Sequence, residues 1–120
     1  MGLIYTSQYR YSGQDRLDVT VKGQHALGRV FAPTWAMVKQ HKAGTMNNEQ
    51  YTALYEAQMK LSMTERPDAW RQVLLMPEVT LVCFCSPFKF CHRFLLANIL
   101  VNNSRRFTDQ ECKYIGEKRI

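Results

Sequence analysis

The chain has 120 residues, of which 46% are hydrophobic and 22% charged, a composition typical of one ordinary folded domain with its own core. It contains no run of about 18 apolar residues, so we expect no transmembrane helix. Its first residues lack the basic and long apolar regions of a secretory signal. Three of the four cysteines fall within residues 83–91, unlike the spread of a secreted disulfide framework. We therefore expect one domain over residues 1–120 in a reduced, cytoplasmic protein.

The net charge of +6 is unevenly distributed. Residues 1–42 carry six Lys or Arg against two acids, and residues 83–120 carry seven against three, whereas residues 43–82 carry three against five. This segregation favours an anionic partner such as a nucleotide or nucleic acid. The alternative is a set of solvated surface charges without a partner.

Two segments near the start read as strands, because their apolar residues alternate and strand formers are frequent. These are residues 3–9 and 17–22. The short connection between them favours a hairpin over a parallel crossover, which usually needs a dozen or more residues. Residues 23–32 contain two glycines and little periodicity, so we predict a loop that carries His25 and Arg29.

Helical signals dominate the middle of the chain. Residues 33–44 are predicted to form a short helix with Pro33 at its first position, and Asn47 is a candidate N-cap of the next helix. The apolar stripe of that second helix is Tyr51, Leu54, Tyr55 and Met59. Another short helix is predicted to begin at Pro67 and to end at Pro77.

A buried strand is predicted over residues 79–85, because all but one of these residues are apolar. Ser86 and Pro87 end it, and a helix follows from Cys91. The apolar side of this helix is expected to comprise Phe94, Leu95, Ala97, Ile99 and Leu100. Residues 108–111 resemble a capping box that opens a single turn, and residues 112–115 are predicted to form the last strand.

This order of elements predicts a small three-layer α/β domain, with a mostly parallel or mixed sheet of about four strands flanked by helices. The middle helices would supply the long crossover that a parallel partner of the central strand requires. In such sheets, ligands bind beyond the carboxyl ends of the strands.

Several sequence boxes resemble the family catalogued as domain of unknown function four-eight-eight. They are IYTSQYRY, DVTVKG, FAPTWAMV, VTLVCFC with FCHRFLLANIL, and KYIGE. The resemblance spans nearly the whole chain and implies a compact bacterial or phage α/β domain with no assigned activity. By this resemblance, the signature positions are Thr6, Ser7, Lys22, Pro33, Thr34, Trp35, Cys83, Cys91, His92 and Arg93. Many relatives carry an acid where this chain has Cys85, which argues against an acid–base role for that position.

The segment between Cys85 and Arg93 is the predicted site. A helix that begins near Cys91 would offer unpaired N–H groups and the positive end of its dipole to an anion, and Lys89 and Arg93 would add charge. The alternative is that Arg93 pairs with an acid of the protein and Lys89 is solvated.

Cys91 and His92 are the candidate catalytic residues. A helix N-terminus close to cations lowers the pKa of a thiol, and His92 could act as a general acid or base. The alternatives are a cysteine that packs as a small hydrophobe and a hydrogen-bonded core histidine. The spacing from Cys85 or Cys91 to Arg93 does not match that of cysteine phosphatases.

A zinc site is a further alternative, because Cys83, Cys85, Cys91 and His92 form a compatible ligand set. Adjacent residues 91 and 92 cannot easily reach one tetrahedral ion, so we predict no metal ligand and no cofactor. His41 lies in a polar stretch and is expected to be solvated.

Further candidate ligand-binding residues lie elsewhere in the chain. Trp35 either packs in the core, as large aromatics favour, or forms a wall for a planar ring. Thr6, Ser7 and Lys22 could add donors if their strands end at the same sheet edge as Cys85, which antiparallel strands would not allow. His25 and Arg29 could close over the pocket.

The leading hypothesis is a protein that binds a phosphate-bearing ligand, a nucleotide or nucleic acid, at the site between Cys85 and Arg93. One alternative is a transferase or hydrolase that uses Cys91 or His92 there. Another is a phage or bacterial interaction module that binds an acidic protein.

Overall fold

A computed structural model of the protein describes residues 2–84 and 90–119. In chain order, its elements are β1 (Gly2–Gln8), β2 (Arg16–Asp18), α1 (Ala26–Arg29), α2 (Trp35–Lys42), α3 (Asn48–Glu65), α4 (Pro67–Leu74), β3 (Glu78–Cys83), α5 (His92–Asn102), α6 (Ser104–Phe107) and β4 (Cys112–Lys118). No helix within these residues combines the length and the apolar character needed to cross a membrane.

The four strands form one sheet in the order β2-β3-β1-β4, and every neighbouring pair is parallel. The prediction of a small α/β domain on a mostly parallel sheet of about four strands is confirmed. Ile4 of β1 stands beside Val79 of β3 and Tyr114 of β4. A long helical segment separates β2 from its parallel neighbour β3, as a parallel crossover requires.

The predicted hairpin between the first two strands is wrong. β3 lies between β1 and β2, so residues 9–15 must pass it. Hydrogen bonds to distant residues fix this short connection: the Asp15 carboxylate accepts from Thr80 Oγ1 at 2.5 Å and from Lys118 Nζ at 3.1 Å. These partners lie on β3 and β4, beyond the reach of local sequence patterns.

The second strand is also shorter than the predicted residues 17–22. The Asp18 carboxylate accepts hydrogen bonds from the backbone N–H and the hydroxyl of Thr20, at 2.9 and 2.6 Å. This Asx-type arrangement turns the chain, and Gly23 N then donates to Thr20 O. The alternation through Lys22 therefore continues past the end of the strand.

Helix boundaries follow the capping chemistry of the sequence. Asn47 and Gln50 form a capping box at α3, as Asn47 predicts, and Pro67 opens α4. Thr34, rather than Pro33, precedes the first residue of α2, and its hydroxyl accepts from Met37 N.

Two segments differ from the predicted pattern. The expected loop at residues 23–32 contains α1, whose N-cap His25 accepts from Gly28 N through Nδ1. Residues 108–111 open no helix; instead, Thr108 Oγ1 accepts from Gln110 N, and the short helix α6 comes before them.

The core lies between the sheet and the helices packed against it. Ile4 and Leu81 from the strands and Leu96 and Leu100 from α5 are almost completely buried. The apolar side of α5 is thus rotated from the predicted one, since Phe94, Leu95 and Ile99 are only partly buried. His92 and Arg93 occupy buried positions on this helix instead.

Candidate functional site

The carboxyl ends of the strands and the start of α5 lie at one edge of the sheet. β3 ends at Cys83, and the chain returns to that edge at Cys91, the N-cap of α5. Cys91 has an extended backbone with φ −158° and ψ 150°, and its side chain makes no cap hydrogen bond. A crevice outside the strand ends is the usual ligand position in open α/β sheets.

A cavity of about 140 Å³ opens at this edge. Its lining is mostly apolar and aromatic, with two thiols and two imidazoles. The lining residues are Thr20, Val21, Pro33, Val38, His41, Lys42, Tyr51, Cys83, Phe84, Phe90, Cys91 and His92. The predicted catalytic pair, Cys91 and His92, therefore borders a cavity.

Aromatic rings from three parts of the chain line one part of the cavity. The Phe90 ring meets the Tyr51 ring edge to face, with centroids 5.5 Å apart, and the His41 ring lies 5.0 Å from Tyr51 and 5.3 Å from Phe90. His41 Nε2 is also 2.7 Å from Asn48 Oδ1. The expectation that His41 is merely solvated is therefore wrong: its ring is half-buried and belongs to the cavity.

Cys83, Cys91 and His92 cluster beside the cavity. All three side chains are buried. The sulfurs of Cys83 and Cys91 are in contact, and Cys91 Sγ is 3.7 Å from His92 Nδ1. Two sulfurs and an imidazole nitrogen therefore share one small volume.

A hydrogen bond fixes the orientation and tautomer of His92. Its Nε2 lies 2.7 Å from the carbonyl oxygen of Val19, and because a carbonyl only accepts, Nε2 carries the proton. The lone pair is consequently on Nδ1, the nitrogen that faces Cys91. Burial lowers the pKa of His92 to about 4, so the ring is neutral at neutral pH.

Arg93 is completely buried and pairs with Glu117. Its Nε and Nη2 donate to the two carboxylate oxygens at 3.2 and 2.8 Å, and its Nη1 donates to Cys83 Sγ at 2.8 Å. The alternative in which Arg93 pairs with an acid of the protein is the arrangement observed. The charge of this residue is thus balanced internally, and one N–H is directed at a thiol.

Thr6 and Ser7 lie on β1 close to the same sheet edge, as parallel strands allow. Both hydroxyls are fully buried: Thr6 Oγ1 is 2.7 Å from the Tyr114 hydroxyl, and Ser7 Oγ donates to Lys118 O at 2.8 Å. Their role in ligand binding remains a prediction, and the structure places them in the link between β1 and β4.

Lys22, Arg29 and Trp35 are exposed rather than gathered at the cavity. Trp35 is 45% exposed, which contradicts the expected core packing. The ammonium groups of Lys22 and Lys39 lie 5.4 and 5.7 Å from its ring centroid, within the range of cation–π contacts. Cys85 and Lys89, the other predicted ligand-binding residues, lie outside the described residues.

Sequence reasoning missed several residues that form the site. Tyr51 lies in an apolar stripe that predicts packing, Phe90 bears no reactive group, and Lys42 lies in a polar helix end, so no motif marks them as site residues. Glu117 is far from Arg93 in sequence and appears as one acid among basic residues. Val19 acts through its carbonyl oxygen, which no sequence pattern could identify.

Comparison with known proteins gives one finding. A family model described as the active DUF488-N3 subclade matches residues 5–104. Neither the curated proteins nor the solved structures contain a significant match to the chain. The matched region includes β1 from Tyr5 onward, β2, β3 and the whole of α5, and thereby Cys83, Cys91 and His92 beside the cavity. The chain belongs to the DUF488 family.

Proposed function

We propose that the cavity binds a small anionic ligand with a planar ring, of the nucleotide class. The observation that carries this proposal is the combination of aromatic walls with a helix N-terminus at the carboxyl edge of a parallel sheet. Planar rings bind to aromatic side chains by stacking or edge-to-face contact. The first-turn N–H groups of α5 and the positive end of its dipole favour a negative charge nearby.

The size of the cavity limits what enters it. At about 140 Å³, it is smaller than the roughly 300–1,000 Å³ of sites that enclose drug-sized ligands. A single ring therefore fits against Tyr51 and Phe90, while the phosphate stays at the mouth. Lys42, the cationic residue of the described lining, supplies the attraction for that phosphate.

The test is titration of AMP, ADP and short single-stranded DNA and RNA at two salt concentrations. We expect binding at low salt that weakens as salt rises, because phosphate contacts release counterions. Lys42→Ala should weaken binding about tenfold, the loss expected for a hydrogen bond to a charged group. Lys39→Ala is the matched control, since Lys39 lies on the same helix but faces Trp35. Absence of binding at low salt, or equal losses in the two variants, would refute the proposal.

A second candidate function is a transfer or hydrolysis reaction that uses a thiol of this cavity. The supporting observation is the Arg93 Nη1–H directed at Cys83 Sγ at 2.8 Å, because a nearby cation stabilises a thiolate. The matching family model is described as an active subclade, a description that favours a reaction but names none. His92 lies within 3.7 Å of the neighbouring Cys91 sulfur and could move a proton there.

Alkylation by iodoacetamide distinguishes this candidate. In reduced, metal-free protein, the pH dependence of alkylation at Cys83 and Cys91 is followed by peptide mass mapping. We expect an apparent pKa below that of a free thiol, about 8.5, for the catalytic residue. Cys112 is the internal reference, because burial raises the pKa of its thiol. If neither cavity cysteine titrates below the free-thiol value, the catalytic interpretation is wrong.

A further inference from the structure

We propose that Cys83, Cys91 and His92 form a binding site for one thiophilic divalent metal ion, with zinc as the expected occupant. One donor atom of each residue lies within 4.8 Å of the other two, and all three side chains are buried. Thiolate and neutral imidazole are the donors that zinc prefers, and a Cys₂His set is a known zinc coordination. This inference stands apart from nucleotide binding, since the metal needs only the protein.

The orientation of His92 suits a ligand. Its Nε2–H donates to the Val19 carbonyl at 2.7 Å, and metal-binding histidines usually donate their second ring N–H to a carbonyl or carboxylate in this way. The Nδ1 lone pair is thereby directed toward the thiols. The 3.7 Å between Nδ1 and Cys91 Sγ is close to the roughly 3.6 Å edge of a tetrahedral zinc site with ordinary bond lengths.

The backbone explains how adjacent residues 91 and 92 reach one point, which the sequence argued against. Cys91 is extended, whereas His92 is the first residue of α5. This change of conformation lets the two side chains converge on Cys83 at the end of β3.

The Cα separation of Cys83 and Cys91 is wider than that of an ordinary disulfide. The Cα atoms of Cys83 and Cys91 are 7.9 Å apart. Disulfides usually join Cα atoms at about 4.4–6.8 Å, and pairs beyond about 7 Å require backbone movement. The two sulfurs are in contact, so an ion between them requires the side chains to turn apart, and the wide Cα separation leaves room for this.

The charges around the site also balance. On metal binding, each thiol loses its proton to solvent, and the two thiolates neutralise the divalent ion. Arg93 donates one N–H to Cys83 Sγ while its charge is matched by Glu117. A buried site of this kind leaves no net charge uncompensated, which a low-dielectric environment requires.

Within residues 2–84 and 90–119, the site has three protein ligands, which leave a fourth tetrahedral position for water or a ligand, as in catalytic rather than structural zinc sites. Cys83, Cys91 and His92 all line the cavity, so an exogenous group could reach that position. The proposed metal therefore lies where a ligand in the cavity would meet it.

The experiment uses the full chain, reduced and stripped of metal, titrated with Zn²⁺ and with Co²⁺. We expect about one ion per chain and the intense absorption of tetrahedral thiolate-bound cobalt. Cys83→Ser and His92→Gln should each weaken cobalt binding at least tenfold, whereas Cys112→Ala, which changes the buried cysteine outside the cluster, should leave it unchanged. If circular dichroism shows that the site variants do not fold, proton release by the wild-type chain replaces them as the test. Release of about two protons per bound ion supports coordination by two thiolates, and release of none contradicts it.

Absence of cobalt–thiolate absorption in folded wild-type protein would overturn the proposal. So would a Cys83–Cys91 disulfide found in protein alkylated at the moment of cell lysis. Nucleotide binding is measured in a separate titration of the metal-free chain. Failure of metal binding can therefore be distinguished from failure of nucleotide binding.

Discussion

Arg93 shows how one residue type supports two opposite interpretations. In the sequence, an arginine at a helix start beside a cysteine and a histidine indicates an anion site. In the structure, its guanidinium is buried, paired with Glu117 and directed at Cys83. Its contacts join the start of α5 to the carboxyl ends of β3 and β4. The sequence marks the position as unusual, but it does not identify a partner 24 residues away.

Removal of the Glu117 carboxylate tests this role. We expect Glu117→Gln to lower the free energy of unfolding by about 3–5 kcal/mol, because it leaves the Arg93 charge buried without its counter-ion. Urea denaturation measures this. Glu111→Gln is the matched control: its bond to Arg105 is as short, at 2.7 Å, but both side chains are exposed, so we expect no measurable change. Equal effects of the two substitutions would contradict the assigned role.

At the scale of elements, the connection between β1 and β2 determines the order of the sheet. Its Asp15 carboxylate accepts from the Tyr11 hydroxyl, from Thr80 and from Lys118. Burial opposes ionisation of this group, but these hydrogen bonds outweigh it and lower the pKa of Asp15 to about 2. This polar network thus fixes the seven-residue crossover at residues 9–15. From the sequence alone, a connection this short predicts a hairpin.

The pH dependence of stability follows from this pKa. Because the folded-state value of Asp15 lies below its unfolded value of about 4, its contribution is complete above that pH and is lost as the pH falls toward 2. We expect Asp15→Asn to cost about 1–3 kcal/mol at pH 7. The difference from wild type should shrink steadily between about pH 4 and pH 2, as followed by urea denaturation. A difference that stays constant over this range would exclude the assigned pKa.

The packing of α1 against β2 depends on the absence of a side chain at Gly28. A Cβ placed there would lie 1.9 Å from the backbone oxygen of Asp18, and backbone yields less easily than a flexible side chain. We expect Gly28→Ala to destabilise the protein by about 2 kcal/mol or more and to disturb the nearby cavity residues Thr20 and Val21. Thermal denaturation measures the loss of stability, and nucleotide titration measures the disturbance of the cavity. Ala26→Ser, exposed on the same helix, should behave as wild type.

At the scale of the whole molecule, local sequence patterns predicted most helices and strands but not the tertiary contacts between them. The central strand, the capping box at Asn47 and the helix after Cys91 follow from apolar spacing and cap chemistry, which act over a few residues. The cavity depends on contacts between distant segments: the rings of His41 and Tyr51 with Phe90, and His92 with Val19 O. Such contacts have no signature in a single sequence, so the thiols and His92 could be predicted while the walls around them could not.

The proposed metal would connect β3, which ends at Cys83, with the start of α5 at Cys91 and His92. Through the hydrogen bond from His92 to the Val19 carbonyl, it would also reach the segment that follows β2. A ligand that binds only the folded chain stabilises it, by about 2.7 kcal/mol when its free concentration is a hundred times its Kd. We therefore expect Zn²⁺ at that excess to raise the Tm of the metal-free chain by about 10 °C. Cys83→Ser should show no such rise, whereas Cys112→Ala should retain it. Equal shifts in wild type, Cys83→Ser and Cys112→Ala would indicate non-specific binding, since of the two substitutions only Cys83→Ser changes the proposed metal site.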